Sequence, residues 1–98
     1  MSDYPDAQTL RFIEQYDTTK SPVSDLFDFI IQSWWMPEWG ARRTRRRLYL
    51  STGGWSGNED IIGAMEKNTV FWMTYWVQSR RGGHFIFEDP LWLKKARP

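Results

Sequence analysis

The residues best equipped for chemistry fall in two clusters. The first is the run from Leu48 through Tyr49, Leu50, Ser51, Thr52, Gly53, Gly54, Trp55, Ser56, Gly57 and Asn58 to Ile62, which reads as a strand passing through a Gly/Ser loop into a helix. Gly53, Gly54 and Gly57 permit left-handed backbone and close approach of a ligand, and Asn58 is placed to cap the helix. The first backbone N–H groups of that helix would then face the loop, an arrangement that suits an anion such as phosphate. Ser51, Thr52 and Ser56 would add hydroxyl donors, and Trp55 a stacking face. The loop lacks the lysine of a Walker A motif and does not follow GxGxxG spacing. A tight turn in which Trp55 folds back on the core is therefore the plain alternative.

The second cluster is arginine. Arg42, Arg43, Arg45, Arg46 and Arg47 place five guanidinium groups in six residues, and Arg80 and Arg81 add two more. If the strand from Leu48 lies beside a C-terminal hairpin, both sets share a sheet edge and make one positive surface. Trp39, Tyr49 and Trp55 are interleaved with these charges and suit stacking on nucleic-acid bases or a nucleotide ring. The simpler reading is a charged edge that discourages strand-to-strand aggregation.

Catalysis finds little support. His84 is followed by Glu88 and Asp89, and Glu59 and Asp60 form a carboxylate pair, but no nucleophile, base and orienting group can be assembled from the spacing. Strand alternation puts His84, Ile86 and Glu88 on one face, where His84 reads as an ordinary strand residue. No catalytic residue is assigned. With no cysteine and one histidine, neither a disulfide nor a metal site is expected, and no cofactor is implied.

These clusters must be positioned by one small domain of 98 residues. A hydrophobic content of 41% and seven tryptophans argue for a folded, aromatic-rich core despite a mean hydropathy of −0.62. Tyr4 to about Tyr16 forms a first helix, with Pro5 near its start. Ser21 and Pro22 open a second, whose stripe of Val23, Leu26, Phe27, Ile30, Ile31, Trp34 and Trp35 has helical period and reads as core. Phe29 lies off that stripe and suggests an exposed patch or a subunit contact. Met36 to Gly40 is a loop, and Leu48 to Ser51 a short strand. A third helix follows the Gly loop and ends at Lys67 and Asn68.

Thr69 to Ser79 is rich in β-branched and aromatic residues and predicts a central strand covered on both faces, with a continued helix as the other reading. Arg80-Arg81-Gly82-Gly83 turns the chain back through a partner strand, His84 to Glu88. Leu91, Trp92 and Leu93 would tuck onto the core, with Lys94, Lys95 and Arg97 trailing into solvent. The order ααβαββ predicts an α+β fold: helices packed on a roughly three-stranded sheet that ends in a β-hairpin.

Charge divides the chain. Residues 1–40 carry seven acidic and two basic side chains, net −5, whereas residues 41–98 carry five acidic and eleven basic, net +6. The basic half, which contains the sheet and the Gly loop, is the half suited to a polyanion. The polar, acidic start predicts no secretory signal, and the apolar stretch from Ile61 to Val77 is too short and too interrupted to span a membrane.

The run from Ser51 to Glu59, the later Phe71-Trp72 and Trp76, and Ser79 to His84 with Phe87-Glu88 resemble a pattern found among small orphan accessory proteins of bacteriophages. That resemblance covers the second half of the chain and implies a protein acting in the cytoplasm of a bacterial host. Taken together, the residues favour a non-enzymatic binding protein that recognises nucleic acid or a nucleotide. An inhibitor or adaptor binding a host enzyme or defence complex is the alternative, and a small hydrolase or nuclease built on His84 and Glu88 is a third reading. A homodimer is compatible with the first two readings.

Overall fold

The computed structural model describes residues 4–90, so the expected tuck of Leu91, Trp92 and Leu93 lies outside the described residues. The elements are α1 (Ala7–Gln15), α2 (Val23–Ser33), α3 (Pro37–Gly40), β1 (Ala41–Arg43), β2 (Arg47–Ser51), α4 (Ser56–Lys67), α5 (Thr69–Tyr75), β3 (Trp76–Arg80) and β4 (His84–Glu88). The fold is α+β, with a four-stranded antiparallel sheet in the order β1-β2-β4-β3. No helix among the described residues is long and apolar enough to cross a membrane.

Local chemistry sets the helix boundaries. The Asp6 carboxylate accepts from Thr9 N at 2.7 Å and caps α1, so the first helix begins three residues later than its apolar pattern suggests. In α2, Val23, Leu26, Phe27 and Ile30 are buried, as the helical stripe requires, and Trp34 is buried just beyond its end. Phe29 is not an exposed patch: its ring packs 4.4 Å from that of Phe12 and joins α2 to α1. Asn68 closes α4 and caps α5 in one position. Its Oδ1 accepts from Phe71 N, while its Nδ2 donates to the carbonyls of Ile13 and Tyr16, both at 2.9 Å.

That cap explains the main departure from expectation. Thr69–Tyr75 is helical, and only the remainder of the Thr69 to Ser79 segment is extended. The cap and the burial of Phe71 and Tyr75, four residues apart, override the strand preference of a β-branched and aromatic run. Nor is β3 central and covered on both faces; it is an edge strand, irregular between Trp76 and Gln78, and most of its side chains are exposed.

The sheet has a fourth strand because the arginine run itself pairs. Thr44 N donates to Arg47 O and Thr44 Oγ1 accepts from Arg47 N, both at 3.0 Å, closing a tight turn with Arg45 and Arg46 at its tip. Register then fixes the faces. Ala41↔Leu50↔Phe85 and Arg43↔Leu48↔Phe87 point inward, where Leu48, Leu50 and Phe87 join Leu26, Phe27, Ile61, Met65 and Phe71 in the core. Arg42↔Tyr49↔Ile86↔Gln78 and Ser51↔His84↔Arg80 point the other way, onto a face that carries no helix among the described residues.

Candidate functional site

The open face is built by strand alternation alone. Leu48 and Leu50 are fully buried on one side of β2, which obliges Arg47, Tyr49 and Ser51 to stand on the other. Tyr49 sits at the centre. The Arg42 guanidinium stacks 4.5 Å above its ring centre, and Arg47 donates to its hydroxyl at 3.5 Å. These cations act on the phenol: the Arg47 hydrogen bond foremost, with the charges of Arg47 and Arg42 behind it, holds Tyr49 below its ordinary pKa of 10.0. Arg47 is in turn raised, chiefly by its bond to Tyr49 and then by Glu88.

Two shallow cavities meet at Tyr49. One, of about 270 Å³, is lined by Tyr49, Ser51, Arg80, His84 and Ile86. The other, of about 250 Å³, is lined by Glu38, Trp39, Arg42, Tyr49 and Ser51. Trp39 is 66% exposed and leans on the Gly loop, where a β-carbon at Gly53 would lie 2.7 Å from its ring. The positive φ of Gly53 and Gly54 and the missing β-carbon of Gly53 thus let the loop pass beneath Trp39 and hold it at the edge of the sheet face.

The remainder of the Gly loop is occupied within the chain. Thr52 N donates to Gly83 O at 3.0 Å, and Trp55 N to Thr52 O at 3.0 Å. Gly54 N donates to Thr52 Oγ1 at 3.4 Å. Asn58 does not cap α4: it lies inside the helix, which begins at Ser56 after Trp55 without a side-chain cap. Its buried side chain accepts from Trp35 N at 2.9 Å and donates to the carbonyls of Trp35 and Thr52, so it fastens the loop to the end of α2. Trp55 stacks on Trp35, 4.4 Å between ring centroids, and on Tyr4 at 5.3 Å, while Gly57 is buried where a β-carbon would meet the Trp55 indole and Pro5. Ser56 is exposed. Ser51 belongs to the sheet face rather than to a cradle at the helix start.

The arginines do not share one edge. Arg42 is on edge strand β1 and Arg80 on edge strand β3, so they flank the open face from opposite sides. The turn bearing Arg45 and Arg46 lies at the Arg47 end of β2, and the turn bearing Arg81 at the Ser51 end. Arg43 faces inward, pairs with Asp28 and stacks 5.1 Å from the Phe27 ring, which makes it a structural tether. Arg46 and Arg47 lie 3.6 and 2.6 Å from the same Glu88 oxygen. Among the described residues, Arg42, Arg80 and Arg81 have no carboxylate partner.

His84 Nδ1 lies 2.7 Å from Ser51 Oγ, across the β2–β4 ladder. Glu88, four residues along the same strand and roughly 13 Å away at strand rise, is engaged by Arg46 and Arg47. Among the described residues, no group of three His, Asp or Glu side chains is placed to hold a metal ion. The expected shared face of His84, Ile86 and Glu88 is present. Glu38 and Gln78, also on or beside this face, escaped the sequence reading; Gln78 lies within a segment read as doubly covered, and Glu38 in one read as loop. No protein family, curated protein or solved structure matches the chain.

Proposed function

We propose that the protein is a non-enzymatic binding protein that takes a single-stranded nucleic acid on the open face of its sheet. The observation that carries this reading is the juxtaposition on that face of Tyr49 and Trp39 with Arg42 and Arg80, none of which serves the core. A flat face bearing aromatic rings, flanked by unpaired guanidinium groups, matches what single strands offer: bases to stack and phosphates spaced along them. The Arg42–Tyr49 stack adds a planar cation on which a base can lie. A double helix, whose bases are already stacked on one another, gains nothing from Tyr49 and Trp39. The cellular setting attached to this reading, the cytoplasm of a bacterial host, rests on the resemblance alone.

Titration of the intrinsic tryptophan fluorescence with a short single-stranded oligonucleotide, and with the matching duplex, tests the proposal. Tighter binding of the single strand supports it; no binding, or equal binding of the duplex, contradicts it.

A second reading has its own observation. Val70, Met73, Trp76 and Val77 are exposed in succession along α5 and the start of β3, with Met73 79% exposed. Apolar side chains so arranged suit an adaptor or inhibitor docking on a protein partner. Capture of one stoichiometric partner that Met73→Glu abolishes would favour it, and light scattering would show whether that partner is a second copy of the chain.

A further inference from the structure

Within the cavity formed by Trp39, Arg42, Tyr49 and Ser51, one side chain does not fit a surface that merely attracts phosphate. Glu38, an acidic residue, is part of this lining. It is exposed, and among the described residues it has no ion pair, in contrast to Glu88 on the same side of the sheet, which is held by two arginines. An unneutralised carboxylate beside Arg42 repels a phosphodiester. An ionised carboxylate is acceptor-only, with two oxygens side by side, so what it recognises is a pair of adjacent N–H donors.

We propose that Glu38 reads a base, and that the base is guanine. Guanine alone among the four common bases presents two adjacent donors on its Watson–Crick edge, N1–H and the N2 amino group. Adenine and cytosine each offer one amino group beside an acceptor, and uracil one N–H between two acceptors. In a single strand that edge is unpaired and available to a side chain. Trp39, the next residue and the most exposed ring of the cavity, supplies the surface on which the base lies, and Arg42, which lines the same cavity, supplies the cation that meets the phosphate. Glu38 thereby becomes the specificity-determining residue of a face whose other contacts are indifferent to sequence. This inference rests on the proposed binding of single-stranded nucleic acid.

The test uses the full chain and three oligouridylates of equal length, carrying one internal guanosine, adenosine or inosine. Guanosine is expected to bind about tenfold or more tighter than adenosine, the discrimination typical of a bidentate base contact. Inosine, which lacks the N2 amino group, is expected to fall between them. Glu38→Gln is expected to remove the guanosine preference and, by taking a negative charge from the cavity, to tighten oligouridylate binding slightly. Binding of all three oligonucleotides with equal affinity, or a guanosine preference that survives Glu38→Gln, overturns the assignment of Glu38 and leaves the nucleic-acid reading standing. Failure of every oligonucleotide to bind overturns both.

Discussion

The Arg42 guanidinium lies 4.5 Å above the centre of the Tyr49 ring, across the β1–β2 ladder on the uncovered face of the sheet. Neither residue is needed to fill the core, and together they give that face a flat, positively charged summit. If single strands stack there, Tyr49→Ala weakens oligonucleotide binding by about 1–3 kcal/mol, the range found for one base–aromatic contact. Arg42→Ala lowers the slope of log affinity against log salt by about 0.7, the loss of one phosphate contact on a single strand. Fluorescence titrations at several salt concentrations separate the two effects.

Tyr49 also supplies a spectroscopic reporter. With Arg47 bonded to its hydroxyl and Arg42 over its ring, the phenol ionises below its ordinary value. Because the folded-state pKa is depressed, the folded protein gains stability relative to the unfolded chain as pH rises through that window. Ultraviolet titration of tyrosinate is expected to show one early-ionising tyrosine, which Arg47→Ala moves upward. Oligonucleotide affinity should decline as this group ionises, since a phenolate opposes a nearby phosphate.

Acid acts through different residues. Asp6 is held below its ordinary pKa chiefly by the backbone N–H of Thr9, and Asp17 chiefly by the Thr19 side chain. Their stabilising contributions are fully present above the unfolded carboxylate value and are lost as pH falls through the lower folded values. The melting temperature should therefore drop below about pH 4, and the Asp6→Asn, Asp17→Asn double variant should show a shallower drop.

Two residues that fasten the Gly loop, Asn58 of α4 and Gly83 of the β3–β4 turn, are expected to matter for stability. Asn58→Ala leaves Trp35 N and the carbonyls of Trp35 and Thr52 without their partner and should cost about 1–3 kcal/mol, readable as a shift in the denaturation midpoint. Gly83 has φ of +79°, and a β-carbon there would lie 2.2 Å from Thr52 Oγ1. Gly83→Ala should therefore destabilise by at least about 1–2 kcal/mol, the cost of left-handed backbone for an alanine.

Much of this was legible in the sequence because periodicity reports burial. The α2 stripe and the alternation of His84, Ile86 and Glu88 follow from which side chains must face the core, and the hairpin at Gly82-Gly83 from the positive φ that glycine tolerates. The α5 helix was legible only as the second reading of its segment, because its strand-like residues are governed by the Asn68 cap, whose partners Ile13 and Tyr16 are more than fifty positions away. Strand β1 was hidden for a related reason: an arginine run has no apolar alternation, and only its backbone pairing with β2 makes it a strand. The two clusters that looked like separate sites therefore divide differently in space. Ser51 and the Trp39 seat on Gly53 belong with Arg42 and Arg80, whereas Asn58, Trp55 and Arg43 belong to the packing.

The most direct test reverses the two unpaired arginines that flank the open face. Oligouridylate binding to the Arg42→Glu, Arg80→Glu double variant should be measured across a salt series beside the unaltered protein, with melting temperatures recorded for both. The account predicts salt-sensitive binding by the unaltered chain and its loss in the variant at an unchanged melting temperature. Equal affinity in the two proteins, or binding that salt does not weaken, would contradict it.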